Sequence, residues 1–281
     1  MTLRSLKQII PALETSDGAG VRIKRSIGQR QNVRLDPFLM LDEFGSAEAA
    51  DYIAGFPSHP HRGFETVTYM IEGHMLHEDH LGNRGNLHNG GVQWMTAGRG
   101  IIHSEMPQQE EGVMRGFQLW LNLPAAEKMT EAGYHDIQPE EIPEITFDGG
   151  TVKLIAGAMV VGGQSHRGAM PDRSTQPVYA DIHLASGASV TLPVPETHNG
   201  MLYLYEGDAR LSDADLQRSA ANILGDGDGV RLQAGNAGAR LLLIAGKPIG
   251  EPVVQYGPFV MNTREEIERA LRDYRDGRLT A

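Results

Sequence analysis

The most informative stretch of the 281-residue sequence is Phe56-Pro-Ser-His-Pro-His-Arg-Gly-Phe-Glu-Thr-Val-Thr-Tyr69. It carries two imidazoles, those of His59 and His61, with a single proline between them. Residues i and i+2 of a β-strand point to the same face, about 6.6 Å apart at roughly 3.3 Å per residue. Because Pro60 has no backbone N–H, the strand is expected to be an edge strand or an irregular one. The stretch therefore predicts a strand that presents two histidines side by side.

A second stretch, Gln93-Trp-Met-Thr-Ala-Gly-Arg-Gly-Ile-Ile-His-Ser-Glu-Met-Pro107, has the same spacing. Here His103 and Glu105 lie two residues apart, directly after a glycine-rich turn. Two such pairs on neighbouring strands bring three imidazole nitrogens and one carboxylate to a common point. This donor set suits a divalent first-row transition metal and leaves coordination positions free. The sequence thus predicts a metal site built from two strands.

The remainder of the chain is also strand-rich. Phe117, Leu119 and Leu121 alternate with polar residues, which is the period of a strand. The 34 glycines and 15 prolines indicate frequent turns, as in antiparallel sandwiches and barrels. One α-helix is predicted at about residues 263–276, where Thr263 and Glu266 have the spacing of a capping box.

Two segments of the first half recur in the second half. Tyr69-Met-Ile-Glu-Gly-His74 reappears as Tyr203-Leu-Tyr-Glu-Gly-Asp208, and Gly98-Arg-Gly-Ile101 as Gly227-Asp-Gly-Val230. Landmarks repeated in the same order indicate two copies of one structural unit. We place the two domains at residues 1–135 and 136–281, with a boundary in the polar, proline-bearing stretch 128–148. No His-x-His occurs after His61, so we expect one metal per chain, in the first domain.

Composition excludes several classes of protein. Lys and Arg number 25 against 36 Asp and Glu, a net charge of −11, which disfavours direct binding to nucleic acid or anionic lipid. The chain has no cysteine, hence no disulfide, thiolate metal site or cysteine nucleophile. No apolar run approaches the length of a membrane helix, and the first residues do not resemble a secretory leader. We expect a soluble cytoplasmic protein that is a monomer.

These two stretches, together with Gly257-Pro-Phe-Val-Met-Asn-Thr263, resemble the pirin family of the cupin superfamily. The resemblance covers nearly the whole chain. It implies an all-β fold of two tandem cupin-type antiparallel β-barrels, also described as double-stranded β-helices or jelly rolls, with a C-terminal α-helix. It also implies a single iron(II) in the first barrel and none in the second. By the family pattern the ligands are His59, His61, His103 and Glu105.

The carboxylate ligand has a competitor in Glu65. The broader cupin pattern takes a glutamate a few residues after His-x-His, and Glu65 lies at that spacing and shares strand parity with His61. The pirin pattern takes Glu105 instead. Residue types alone do not fix the metal either, because the donor set accepts manganese, nickel, copper or zinc as well as iron.

Two functions follow from the resemblance. The favoured one is a quercetin 2,3-dioxygenase-type enzyme, in which Glu105 is the general base and a flavonol-like aromatic substrate is cleaved with loss of carbon monoxide. The alternative is a non-enzymatic, redox-responsive regulatory protein that binds a transcription factor or a metabolic enzyme.

The other histidines of the cluster carry less weight. Four of them are expected to be solvated groups of turns and strands, and both tryptophans are expected to lie in the core or to line a pocket. These residues are His74, His77, His80, His88, Trp94 and Trp120.

Overall fold

A computed structural model describes residues 1–281, and its contacts divide the chain into two compact units. The leading unit contains Leu13–Pro139 and Ile249–Ala281. The trailing unit contains Met1–Ala12 and Glu140–Pro248. Each unit therefore includes a segment from the far end of the chain.

The structure is built almost entirely from strands. In the first half these are β1 (Leu6–Pro11), β2 (Leu13–Asp17), β3 (Val21–Arg25), β4 (Phe38–Ser46), β5 (Phe56–His61), β6 (Phe64–Glu72), β7 (Met75–Asp79), β8 (Arg84–Leu87), β9 (Val92–Thr96), β10 (Ile101–Pro107), β11 (Met114–Asn122) and β12 (Gly133–Ile137). In the second half they are β13 (Glu144–Phe147), β14 (Gly150–Ala156), β15 (Ala158–Val161), β16 (Gln164–Arg167), β17 (Val178–Leu184), β18 (Ser189–Pro193), β19 (Asn199–Leu211), β20 (Ala214–Asp215), β21 (Ala220–Leu224), β22 (Gly229–Gly246), β23 (Val254–Tyr256) and β24 (Phe259–Met261).

The leading unit contains a large and a small antiparallel sheet. The large sheet has the strand order β12-β9-β6-β11-β4-β3-β2, and the small sheet has the order β5-β10-β7-β8. Strands β6 and β11 lie in the interior of the large sheet and are buried along most of their length. The two histidine-bearing strands, β5 and β10, are direct neighbours in the small sheet, as the sequence pattern predicted.

The trailing unit has one nine-stranded sheet, whose main path is β1-β21-β19-β22-β17-β14-β13. Its core is a single large cluster of aliphatic side chains. Leu232 and Ala234 take the places in the repeat that His103 and Glu105 hold in the first copy. Both are buried in this core, so the second copy uses these positions for packing.

One α-helix, α1 (Arg264–Arg275), closes the chain. Thr263 accepts a hydrogen bond from the Glu266 backbone N–H, and the Glu266 side chain accepts one from the Thr263 backbone. The predicted capping box and helix are thus confirmed, and so is the predicted fold class of antiparallel β-structure with a C-terminal helix. No helix here combines the length and the apolar character that crossing a membrane demands.

The grouping of segments differs from a single cut after residue 135. Such a cut passes through β12, which pairs with β9 in the leading unit. Strand β1 pairs with β21 in the trailing unit, while residues 249–281, including α1, belong with the leading unit. The sequence repeat locates the two copies, but pairing of chain ends over long separations has no local sequence signal.

The C-terminal segment joins the leading unit at the turn after His61. Gly63 has a φ of +90°, and a Cβ there would lie 2.0 Å from the Val260 carbonyl oxygen, so only glycine permits this approach. The neighbouring Arg62 is buried and donates to the Asp273 carboxylate at 2.8 Å and to the Leu279 carbonyl at 3.1 Å. Helix α1 and the residues after it are thereby tied to the strand that carries His61.

Lys128 also links the C-terminal segment to the turn after His61. Its side chain is buried, and its Nζ donates to the Gly63 carbonyl at 2.7 Å, the Asn122 Oδ1 at 2.7 Å and the Val260 carbonyl at 3.0 Å. Three oxygens match the three N–H groups of an ammonium group. Lys128 therefore joins the β5–β6 turn, the end of β11 and the C-terminal hairpin, which consists of the paired strands β23 and β24.

Replacement of Lys128 by methionine tests this connection. The substitution keeps the length of the side chain but leaves three buried oxygens without a donor, which costs about 1–3 kcal/mol for each group that water cannot reach. We expect Lys128→Met to lower the free energy of unfolding in urea by about 2–4 kcal/mol. Lys7→Met, at an exposed position, is the control and should change it little. Equal stability of the two variants would contradict this role.

Candidate metal centre

Two neighbouring strands bring three histidines together. His59 and His61 lie at the end of β5, and His103 lies in β10, directly opposite His59 in the antiparallel register. Gly98, in the turn that leads into β10, has a φ of +49°, and a Cβ there would lie 2.3 Å from the Thr130 carbonyl oxygen. This turn therefore requires glycine, as the sequence pattern suggested.

The three imidazoles form a compact group. One nitrogen of each ring can be chosen so that all three lie within 4.8 Å of one another. The ring centroids are 4.3 Å apart for His59 and His103, 4.7 Å for His59 and His61, and 5.0 Å for His61 and His103. Nitrogens this close surround a single point, which is the arrangement that a metal ion requires.

Burial favours the neutral form of His61 and His103. It lowers the pKa of His61 well below its ordinary value of 6.5, and the neighbouring His59 lowers it further. The pKa of His103 is likewise held well below 6.5 by burial, with added contributions from His61, His59 and His77. Neutral imidazole is the form that binds metals. His61 and His103 are therefore ready to act as ligands without first losing protons.

The hydrogen bonds leave ring nitrogens available. Nδ1 of His59 lies 2.8 Å from the Pro57 carbonyl oxygen, which can only accept, so this nitrogen carries the proton and Nε2 keeps a lone pair. Nδ1 of His61 and Nε2 of His103 are buried and have no hydrogen-bond partner. Buried polar atoms without partners are costly unless a ligand satisfies them. The residues thus fit a bound cation.

Glu105 is adjacent to this group but is not part of it. The carboxylate is buried, and its oxygens accept hydrogen bonds from Thr68 Oγ1 at 2.9 Å and from Gln118 Nε2 at 3.1 Å. The alternation along β10 is as predicted, with His103 and Glu105 buried and Ile102 and Ser104 partly exposed. The structure brings the three histidines together, while the carboxylate points to two polar neighbours.

Glu65, the competing carboxylate, also lies outside the group. It is buried in β6, and Thr96 Oγ1 donates to it at 2.6 Å. Each glutamate therefore has a hydroxyl donor of its own, and burial does not separate the two candidates.

His77 differs from the expectation that it is solvated. It is buried in β7, and its Nδ1 lies 3.4 Å from Nδ1 of His103. Position 77 is shielded because β7 is an interior strand of the small sheet, paired with both β10 and β8. The sequence does contain a signal for this burial. Met75–Asp79 is a short strand in which His77 lies on the same face as Met75 and Asp79.

A cavity of about 610 Å³ adjoins the histidines. His59 and His61 line it together with Trp120, whose ring meets that of His61 edge to face at 5.3 Å. The C-terminal segment supplies Gln255 and Pro258 to the wall. Trp94 is fully buried, so both tryptophans lie where the sequence placed them.

Comparison with known families gives two matches. Residues 20–121 match the family model described as Pirin, and residues 179–280 match the one described as Pirin C-terminal cupin domain. These spans contain the motifs on which the resemblance rested, including both histidine-bearing strands and α1.

Individual relatives agree. A Pseudomonas aeruginosa protein, named as a candidate quercetin 2,3-dioxygenase, is 56% identical over 93% of both chains. Human pirin is 43% identical over 94% of this chain and 90% of its own length. The crystal structure of a quercetin 2,3-dioxygenase from Acinetobacter baumannii superposes with a TM-score of 0.89, at 32% identity and 99% coverage of each chain.

The low pKa values of His61 and His103 predict how stability depends on pH. In the unfolded chain both titrate near 6.5, so below that pH the unfolded state binds more protons than the folded state. The metal-free protein should therefore lose stability as the pH falls from 7 to 5, by up to about 1.4 kcal/mol per pH unit for each histidine.

Urea unfolding of chelator-treated protein at several pH values measures this slope. We expect His103→Leu to have a shallower slope than the wild type, and His88→Phe, at an exposed position, to keep the wild-type slope. A His103→Leu slope equal to that of the wild type would show that this histidine is not held neutral by folding.

Proposed function

Since this chain belongs to the pirin family of the cupin superfamily, we propose that it binds one iron(II) ion and acts as a quercetin 2,3-dioxygenase-type enzyme on a flavonol-like substrate. The observation that carries the proposal is a group of three closely spaced imidazoles beside a largely apolar cavity. The likeness to the Acinetobacter enzyme supports it.

We assign the metal ligands as His59, His61, His103 and Glu105. The three histidines are supported by their geometry and by their unpartnered nitrogens. Glu105 is supported by its position two residues from His103 on the same face of β10. The donors to its oxygens are side chains, those of Thr68 and Gln118, which can move with the carboxylate when it turns toward a cation.

The cavity suits a flat aromatic molecule. Its volume of about 610 Å³ lies within the usual range of small-molecule sites. Phe56 and Trp120 supply aromatic surface, and Leu39 and Met40 supply aliphatic surface. Such walls exclude water and favour the faces of a planar ring system over a charged, hydrated substrate.

Within this site the protein orients the substrate and accepts a proton. Glu105 takes the proton of the flavonol hydroxyl group onto a carboxylate oxygen, while Thr68 and Gln118 donate hydrogen bonds to that carboxylate. The apolar wall keeps the reacting ring away from bulk water. When bound, iron(II) supplies the one-electron chemistry that lets dioxygen react with a closed-shell organic molecule.

Iron content distinguishes the two glutamates. Loss of partners outside the ligand sphere already costs roughly 10–100-fold in metal affinity, and loss of a ligand should cost at least as much. We expect Glu105→Gln, purified without oxygen, to retain about ten-fold less iron than the wild type by elemental analysis. Glu65→Gln, also at a buried and hydroxyl-bonded carboxylate, is the matched control. The reverse order would replace Glu105 by Glu65 in the ligand set.

Oxygen uptake with quercetin tests the enzymatic function. Iron-loaded wild type and His88→Phe should consume oxygen and release carbon monoxide, while His59→Ala should fall to the background rate because a ligand is missing. If the iron-loaded wild type shows no turnover, the enzyme proposal fails, and the alternative of a redox-responsive protein that binds another protein becomes the better hypothesis.

A further inference from the structure

A buried series of three hydrogen-bonded side chains, here called the hydrogen-bonded chain, runs from the three-histidine group into the small sheet. Its members are His103, His77 and Asp79. His103 Nδ1 lies 3.4 Å from His77 Nδ1, and His77 Nε2 lies 3.4 Å from Asp79 Oδ2. The side chains of His77 and Asp79 are 2% and 0% exposed. Water therefore cannot substitute for either partner, and the protons in the chain must be arranged among these groups alone.

Asp79 is fixed as an acceptor. Its Oδ1 accepts from the backbone N–H groups of Leu81 at 2.9 Å and of Asn83 at 3.1 Å. Its Oδ2 accepts from Asn83 Nδ2 at 2.8 Å as well as from His77. A carboxylate that faces donors only is an acceptor in every one of these bonds. Asp79, the member of the hydrogen-bonded chain farthest from the three histidines, is thus held by residues of the turn after β7.

The positions of the protons follow from this anchor. Because Asp79 accepts, Nε2 of His77 must carry a proton, and in the singly protonated form of this ring Nδ1 has a lone pair. That lone pair accepts from Nδ1 of His103, which therefore carries its proton there. Nε2 of His103 is left with a lone pair, and this is the buried nitrogen without a hydrogen-bond partner.

The ring of His77 is also held in orientation. It stacks on Tyr134 with the centroids 4.3 Å apart and the planes 14° from parallel. Tyr134 in turn packs over Gly85, where a Cβ would lie 1.9 Å from the tyrosine hydroxyl oxygen. Strand pairing also fixes the positions of these residues. In the antiparallel register of β7 and β10, His77 lies opposite Glu105 and Asp79 lies opposite His103.

We propose that Asp79 and His77 are positioning residues that set the tautomer of His103 and thereby present its Nε2 to the metal. The inference rests on the proposed function, because it assumes that His103 is a ligand. Neither residue touches the metal. Their effect is to remove the alternative tautomer, in which Nε2 carries a proton and cannot bind.

Asp79→Asn is the decisive variant. The amide oxygen can keep the two backbone N–H bonds made by Oδ1, which leaves the amide N–H₂ facing His77 and Asn83, whose side-chain amide must turn to present its oxygen. His77 must then accept at Nε2 and donate from Nδ1, so His103 must accept at Nδ1 and carry its proton on Nε2. The same exchange in a catalytic triad leaves the geometry intact and stabilises the wrong histidine tautomer.

Two measurements apply to each variant. Nitrogen-15 NMR of the metal-free protein reports which nitrogen of His103 is protonated, and competition with a chelator gives the affinity for Ni²⁺. We expect Nδ1–H in the wild type and Nε2–H in Asp79→Asn, with a loss of roughly 10–100-fold in Ni²⁺ affinity. His77→Phe should lose affinity similarly while keeping the stack on Tyr134, and His77→Asn, which restores an acceptor at the Nδ1 position, should regain most of it. His88→Phe is the control.

The possible results separate the two proposals. A wild type that does not bind Ni²⁺ contradicts the metal site, whereas the NMR comparison still tests the hydrogen-bonded chain. A wild type that binds Ni²⁺ together with an Asp79→Asn variant of unchanged tautomer, or of unchanged affinity at wild-type thermal stability, overturns the inference. Failure of His77→Asn to recover affinity, with both His77 variants folded, overturns it as well.

Discussion

The close packing of three imidazoles, two of them buried, is the constraint on which the leading unit depends. Such rings repel one another when protonated, and one nitrogen each of His61 and His103 loses water without gaining a protein partner. The fold tolerates this because β5 and β10 are adjacent, and the turns at Gly63 and Gly98 fix where each strand begins and ends. A bound cation would satisfy the nitrogens that folding has stripped of water, and the cost of assembling the site would then be recovered when the cation binds.

Two buried basic side chains hold the framework around the histidines. Arg62 pairs with Asp273 and donates to the Leu279 carbonyl, while Lys128, whose pKa is lowered by burial to about 7, contacts carbonyl and amide oxygens. Directional donors of this kind fix the position of the C-terminal hairpin, which contributes Gln255 and Pro258 to the cavity. Lys128 thus connects the C-terminal hairpin, which lines the cavity, to the turn after His61, although these residues are far apart in sequence.

Local patterns were sufficient to predict the strands that carry His59, His61 and His103, the capping box at Thr263 and the class of fold. These features depend on spacing within a few residues. The exchange of chain ends between the units depends on strand pairing over more than one hundred residues, which leaves no local period. The alternation from Met75 to Asp79 places His77 on the same face as both residues, but its full burial follows from pairing on both sides of β7 and from the cover that Tyr134 provides.

The exchange of chain ends has a consequence for biosynthesis. A ribosome releases Leu13–Pro139 long before it makes Ile249–Ala281, yet both segments belong to one unit. Until the later segment emerges, Arg62 lacks the Asp273 and Leu279 partners and Lys128 lacks the Val260 carbonyl. Early strands can pair as they appear, but the unit gains its full set of contacts only after residues 249–281 have been synthesised.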